Sequence, residues 1–205
     1  MPFVSDDEPD DRESVLRERI EDATSRHYDR TPVIYRKPIS IHTAAAAWAT
    51  QDASAPASLF LTGAIGVGKT HTAWEATRRW LAAHMAHTSR IPSIETWRST
   101  ALFDALRHDN RDWDAKALTG QLQRADLLFI DDLAAARVSP TGWTQERLYE
   151  IFDERYINGR PVLITCDVLP GQISHIVGDR VASRLGEMCG ITLLEGADRR
   201  TGAAA

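Results

Sequence analysis

Residues 63–73 read GAIGVGKTHTA and come directly after the apolar run SLFL. No other stretch of the chain constrains its fold as tightly. The spacing G-x-x-x-x-G-K-[ST] is met by Gly63, Gly68, Lys69 and Thr70, with a further glycine at Gly66. Such a loop needs a buried strand before it and a helix after it. Glycines then let backbone N–H groups turn toward an anion, and the helix N-terminus adds partial positive charge. Both flanks are present. Residues 58–61 are short and apolar, and Ala73, Trp74, Ala76, Thr77, Trp80 and Leu81 recur at helical spacing. The residues expected to hold a nucleotide are therefore Gly63, Ala64, Ile65, Gly66, Val67, Gly68, Lys69, Thr70 and His71. Lys69 is placed to reach the β- and γ-phosphates and Thr70 to ligate Mg²⁺. ATP and Mg²⁺ are the expected cofactors.

Beyond the loop, strand and helix signals alternate. Strands are expected at 91–95, 126–132 and 161–167, and in the terminal ITLLEG. Helices are expected around 40–50, through WRSTALFDALRH, up to Arg124, over 141–158 and through RVASRL. This alternation predicts an α/β fold of the P-loop NTPase type, a parallel sheet with helices on both faces. A chain of 205 residues is long enough for one such domain and too short for two.

Hydrolysis needs more than a phosphate cradle: an acid to hold the metal and a group to orient water. Asp131 and Asp132 close the strand DLLFI, and in open α/β sheets ligands collect at the carboxyl ends of strands. Asp131 is assigned to the Mg²⁺ shell and Asp132 to the attacking water. Thr165 and Asp167 end the next strand, where a polar group could hydrogen-bond the water or the γ-phosphate; a turn-forming Asp167 is equally open. Arg180 and Arg184 lie four apart, so they share one helical face. Nothing places them over their own loop. A neighbouring subunit's γ-phosphate and a surface salt bridge both remain open as their partners.

Charge divides the chain unevenly. Residues 1–30 hold ten acidic residues and five arginines, whereas 31–205 hold nineteen of each sign. The acidic leader, residues 1–30, is expected to become helical from about Arg12, with Val15, Leu16, Ile20 and Ala23 along one side. It is either a solvated arm or a docking segment for a partner. The rest, 31–205, is expected to form the ATPase domain. Its neutral body offers no global basic field for nucleic acid, though a local patch is compatible with it. Cys166 and Cys189 show no metal-ligand spacing, and Cys166 reads as a small buried thiol. No apolar run approaches the length of a membrane span and no signal peptide opens the chain, so no membrane contact and a cytoplasmic location are expected.

Taken in order, these stretches resemble the AAA+ ATPases of the bacterial helicase-loader family, the DnaC and DnaI type, with the IstB-like transposition ATPases as relatives. GVGKTHTA resembles the family's G-x-G-K-T-H-L-A, with Thr72 where leucine is usual, and DLLFIDDLA resembles its paired-aspartate strand. GWTQERLYEIFDERYINGRPVLITCDV resembles the run that ends in the family's Thr-Ser-Asn, with Asp167 in place of the asparagine. GDRVASRLGEM followed by ITLLEGADRR resembles the arginine-finger segment and last strand. The likeness covers residues 31–201. It implies that Arg184 acts in trans on a neighbour's ATP with Arg180 assisting, so the chain self-associates, and that Thr165 lies in the sensor segment. It also implies a replicative helicase and single-stranded DNA as partners, the DNA meeting the region that contains Trp97, Arg98, Arg107, Arg111, Trp113, Lys116 and Arg124. No carboxyl-terminal lid domain is expected, since twenty-one residues follow Arg184. The leading function is an ATP-dependent helicase loader; a transposition-accessory ATPase, a nucleotide-gated module with little turnover and a small-molecule kinase are the alternatives.

Overall fold

A computed structural model describes residues 11–53, 55–106, 112–135 and 142–199, the side chains of 112–114 excepted. Five strands, β1 (Ser58–Thr62), β2 (Ile94–Arg98), β3 (Leu127–Asp131), β4 (Val162–Thr165) and β5 (Cys189–Leu193), form one sheet in the order β2-β3-β4-β1-β5. Every pairing is parallel. The helices are α1 (Asp11–Arg30), α2 (Thr43–Ala49), α3 (Lys69–Thr88), α4 (Ser99–Ala105), α5 (Asp112–Arg124), α6 (Trp143–Ile157), α7 (Ser174–Val177) and α8 (Asp179–Met188).

The strands explain their own position. SLFLT and VLIT are buried along their whole length, as continuous apolar runs covered on both faces must be. Along β3 the residues alternate between two cores. Leu127 and Phe129 meet Ala73, Ala76 and Trp80 of α3 and Trp48 of α2, while Leu128 and Ile130 meet Phe103, Leu148, Phe152 and Leu185 on the other face. Helices thus cover both faces, as expected. Arg155 of α6 is fully buried and ties the second layer together: it donates to the carbonyl oxygens of Leu122 and Ala125 at the end of α5 and of Pro161 before β4, at 2.6, 2.9 and 2.5 Å.

Two expectations shift. The strand placed at 91–95 runs instead over Ile94–Arg98, and the helix expected from Trp97 begins at Ser99. The cause lies in a clamp before the strand. Asp126 accepts hydrogen bonds from the Ser93 N–H and hydroxyl at 2.7 and 2.9 Å and a two-pronged contact from Arg90 at 2.6 and 2.9 Å. Residues 90–93 are thereby committed to a side chain, and Pro92 has no N–H to offer a ladder. Those donors hold the Asp126 carboxyl down at about 2, although burial alone would raise it.

The leader is helical from Asp11, with residues 1–10 outside the described part. Its contact stripe runs through Ile20, Ala23 and His27, packed on Leu81, Met85 and Trp74 of α3; Val15 is 53% exposed and lies off it. Among the described residues no helix is long and apolar enough to cross a membrane.

Candidate nucleotide site

The phosphate loop leaves β1 at the carboxyl edge of the sheet and enters α3 at Lys69. Gly66 and Gly68 have φ values of +84° and +98°, a region closed to most side chains. A side chain would also have to displace the residues that lie against the loop. A Cβ on Gly66 would fall 1.9 Å from the Asp198 carboxylate, and one on Gly68 would fall 3.1 Å from the Arg199 guanidinium. The loop is folded with its lysine across it: Lys69 Nζ donates to the carbonyl oxygens of Gly63 and Ala64 at 2.7 and 2.9 Å. Ile65 at the tip is 66% exposed and Val67 is buried, so Ile65 faces the space above the loop while Val67 anchors it. On the first turn of α3, His71 Nε2 lies 2.6 Å from the Lys37 carbonyl, and its ring sits 5.8 Å from that of Tyr35.

The register of the sheet brings the acids to this loop. Thr165 is the partner of Leu61 across β4 and β1, and β3 lies on the far side of β4. Asp131, last in β3, accepts hydrogen bonds on Oδ1 from the hydroxyls of Thr70 (2.8 Å) and Thr165 (2.7 Å). Thr165 in turn accepts from the Asp132 N–H at 2.8 Å, while the Asp132 carbonyl accepts from the buried Ser99 hydroxyl at 2.5 Å. These two bonds hold Asp132 at φ +57°, a left-handed conformation for a non-glycine residue at the edge of the site. A short Asp side chain tolerates it better than a branched one.

Lys69, Thr70, Asp131, Asp132 and Thr165 therefore meet at one place. Arg180 and Arg184 do not join them. They project from α8 onto α6, Arg180 over the Tyr149 ring at 5.2 Å and Arg184 over the Tyr156 ring at 4.4 Å. Arg184 Nε also donates to Asp153 Oδ1 at 3.1 Å, and that bond keeps the guanidinium pKa above its ordinary value. Asp167 is exposed just beyond β4. Trp97 is half-buried and packs on the α4–α6 core, with its indole N–H 3.3 Å from Glu95, so it is part of the packing. Arg98, Lys116 and Arg124 are exposed; Arg107 and Arg111 lie outside the described residues, as does the Trp113 side chain.

Three participants escaped the sequence. Ser99 fixes Asp132 from thirty-three residues away. Asp198 and Arg199 lie against the loop because the chain after β5 folds back: the Leu194 N–H donates to the Thr62 carbonyl at 2.7 Å and the Arg199 N–H to the Gly66 carbonyl at 3.0 Å. The only local signal for that return is the Gly196 that follows LLE.

The site fits Mg²⁺ with nucleotide. A Thr hydroxyl and a carboxylate 2.8 Å apart are hard oxygen donors, and the hydroxyl gives its proton to Asp131 while keeping lone pairs for a cation. Among the described residues there is no group of three His, Cys, Asp or Glu able to hold a metal by itself.

The sequence profile of the bacterial DnaA ATPase domain matches residues 33–192. The chain belongs to that family. As a DnaA-type ATPase domain it has the AAA+ fold, and its solved neighbours agree. The crystal structure of the DnaC helicase loader superposes with a TM-score of 0.60 at 18% identity, covering 83% of this chain and 99% of that one. The replication initiator DnaA bound to AMPPCP and single-stranded DNA gives 0.60 at 19% identity, covering 75% of this chain and 45% of that one. The phage-like element PBSX protein XkdC of Bacillus subtilis is 28% identical over 146 residues, 68% of this chain and 51% of its own. The chain thus spans about half the length of that relative.

Proposed function

We propose that this chain is a Mg²⁺-dependent ATPase of DNA replication that loads or remodels a replicative helicase on single-stranded DNA, in the cytoplasm. The observation that carries it is the Asp131 carboxylate gathering Thr70 of the phosphate loop and Thr165 of the neighbouring strand. Around that carboxylate stand the parts that ATP hydrolysis asks of a protein: a loop and Lys69 for the phosphates, oxygens for the metal, and Asp132 for the attacking water. Membership of the DnaA ATPase-domain family supports the link to replication, and the fold shared with the DnaC loader over nearly all of that chain supports the loading step.

In this reading Lys69 neutralises the β,γ-phosphates, Thr70 and Asp131 hold the metal, and Thr165 positions both aspartates. Arg184, with Arg180, serves the ATP of the next subunit, and residues 1–30 form a segment able to contact the helicase. The test is the native mass of complexes formed with the replicative helicase of the same cell. A discrete complex in ATP that is lost in ADP and in Asp131→Asn is expected. Absence of any complex while ATP is hydrolysed would overturn the loading step.

A further inference from the structure

Beside the metal site, under α1, lies a cavity of about 550 Å³. Its walls are α1, the first turn beyond it, α3 and the edge strand β2. All five residues of β2 line this edge; Ile94, Thr96 and Arg98 lie on its α1 and α3 side, since Ile94 packs with Ala23 and Leu81 while Trp97 packs with the opposite core. Its volume is that of small-molecule sites, which run to roughly 300–1,000 Å³.

Three features of the lining point to one kind of ligand. The rings of Trp74, Tyr35 and His27 supply flat apolar surface. Arg30 and Arg98 stand exposed on two walls, and among the described residues neither has an ion pair; Arg26, by contrast, is held by Asp22 at 2.6 Å. His27 is nine-tenths buried, and its Nε2 has no hydrogen-bond partner among the described residues. A buried polar nitrogen without a partner is costly, and the cost is removed if a ligand supplies one. Two acids also line the cavity, and among the described residues neither is paired with Arg30 or Arg98. Glu95 accepts from Gln121 and Trp97, and Asp131 accepts from Thr70 and Thr165.

We infer that this cavity binds one nucleotide of a single strand, its base against Trp74 and Tyr35 and its phosphates on Arg30 and Arg98. Rings combined with unpaired arginines are the means by which proteins hold unpaired bases without reading their sequence. The neutral imidazole of His27 meets the polar edge of the base. The position gives the site a consequence. Arg98 is the register partner of Asp131 across β2 and β3, so a phosphate held by Arg98 lies one strand from the metal ligand. The inference rests on the single-strand reading above but assigns the strand to a particular place.

The experiment titrates full-length protein with a fluorescein-labelled dT oligonucleotide and with dTMP, following anisotropy and titration calorimetry respectively. Parent, Arg30→Gln/Arg98→Gln, Trp74→Leu and Trp74→Phe are compared, with a labelled ATP analogue titrated in parallel. The double variant should lose at least about tenfold in oligonucleotide affinity, and its log–log salt dependence should be shallower by about 1.4, from two lost phosphate contacts. Trp74→Phe should retain binding that Trp74→Leu loses, and ATP affinity should stay within about twofold throughout. Binding of dTMP without the oligonucleotide, lost in the same variants, would assign the cavity to a free nucleotide of the same chemistry. Oligonucleotide binding that all variants share would overturn the site and leave the single-strand reading standing. A parallel loss of ATP affinity would overturn it by merging the cavity with the ATP site. A parent that binds neither probe would remove both readings together.

Discussion

Two hydroxyls converge on one oxygen of Asp131, and this fixes what each group can do. Thr165 gives its proton to Asp131 and a lone pair to the Asp132 N–H, so it acts on both acids at once. Thr165→Val keeps the shape and removes both bonds. Nucleotide affinity should hold within about twofold, whereas turnover should fall about 10- to 100-fold, the usual effect of releasing a group that orients a metal ligand. Phosphate release measured beside nucleotide titration decides it, and turnover equal to the parent's would show that Thr165 does not position the acids. At this scale the sequence was readable where chemistry is local. The loop's glycines, Lys69, Thr70 and Asp131 announce themselves within a few residues of one another or at the end of one apolar run. Ser99, Asp198 and Arg199 do not, because their roles exist only after distant segments meet.

Among the elements, α1 carries a titration. Burial, together with the nearby charges of Arg30 and Arg78, lowers His27 from 6.5 to about 4. Below its ordinary value the unfolded chain takes up a proton that the folded chain refuses, so stability rises with pH across that window. The packing of α1 is therefore fully available above about pH 6.5 and weakens as pH falls toward 4, by on the order of 3 kcal/mol at most. Thermal unfolding between pH 7 and 4.5 should show this loss, and His27→Leu should flatten it; an unchanged slope in the variant would remove His27 as the cause. Helix α1 was legible as a helix because its apolar positions repeat at 3.6 residues. Its docking on α3 was not, since ten acidic residues in the first thirty read as a solvated face. Strand β2 was displaced for a related reason: the clamp on Asp126 joins residues more than thirty apart, and periodicity cannot see it.

For the whole molecule, the parallel sheet followed from alternation, but alternation says nothing of what completes the site. Arg184 lies on α8, bonded to Asp153 and stacked on Tyr156, and does not join the group around Asp131. A partly exposed ion pair of this kind is weak in water. Exchanging the Asp153 carboxylate for a neighbour's triphosphate therefore asks little of the folded chain, and a guanidinium suits the charge of a transferring phosphoryl group. If the exchange occurs, hydrolysis rises with protein concentration and each subunit's ATP depends on another's arginine. Lys69→Ala lacks the phosphate lysine but retains the arginine; Arg184→Ala retains the phosphate site but lacks the arginine. Each variant alone should turn over at least about tenfold more slowly than the parent, given the usual size of a trans-acting arginine's effect. Mixed in equal amounts they should recover turnover, because mixed neighbours bring one intact loop to one intact arginine. Phosphate release from the mixture is the measurement. A mixture as inactive as its parts, with Arg184→Ala still binding ATP, would confine Arg184 to its bond with Asp153.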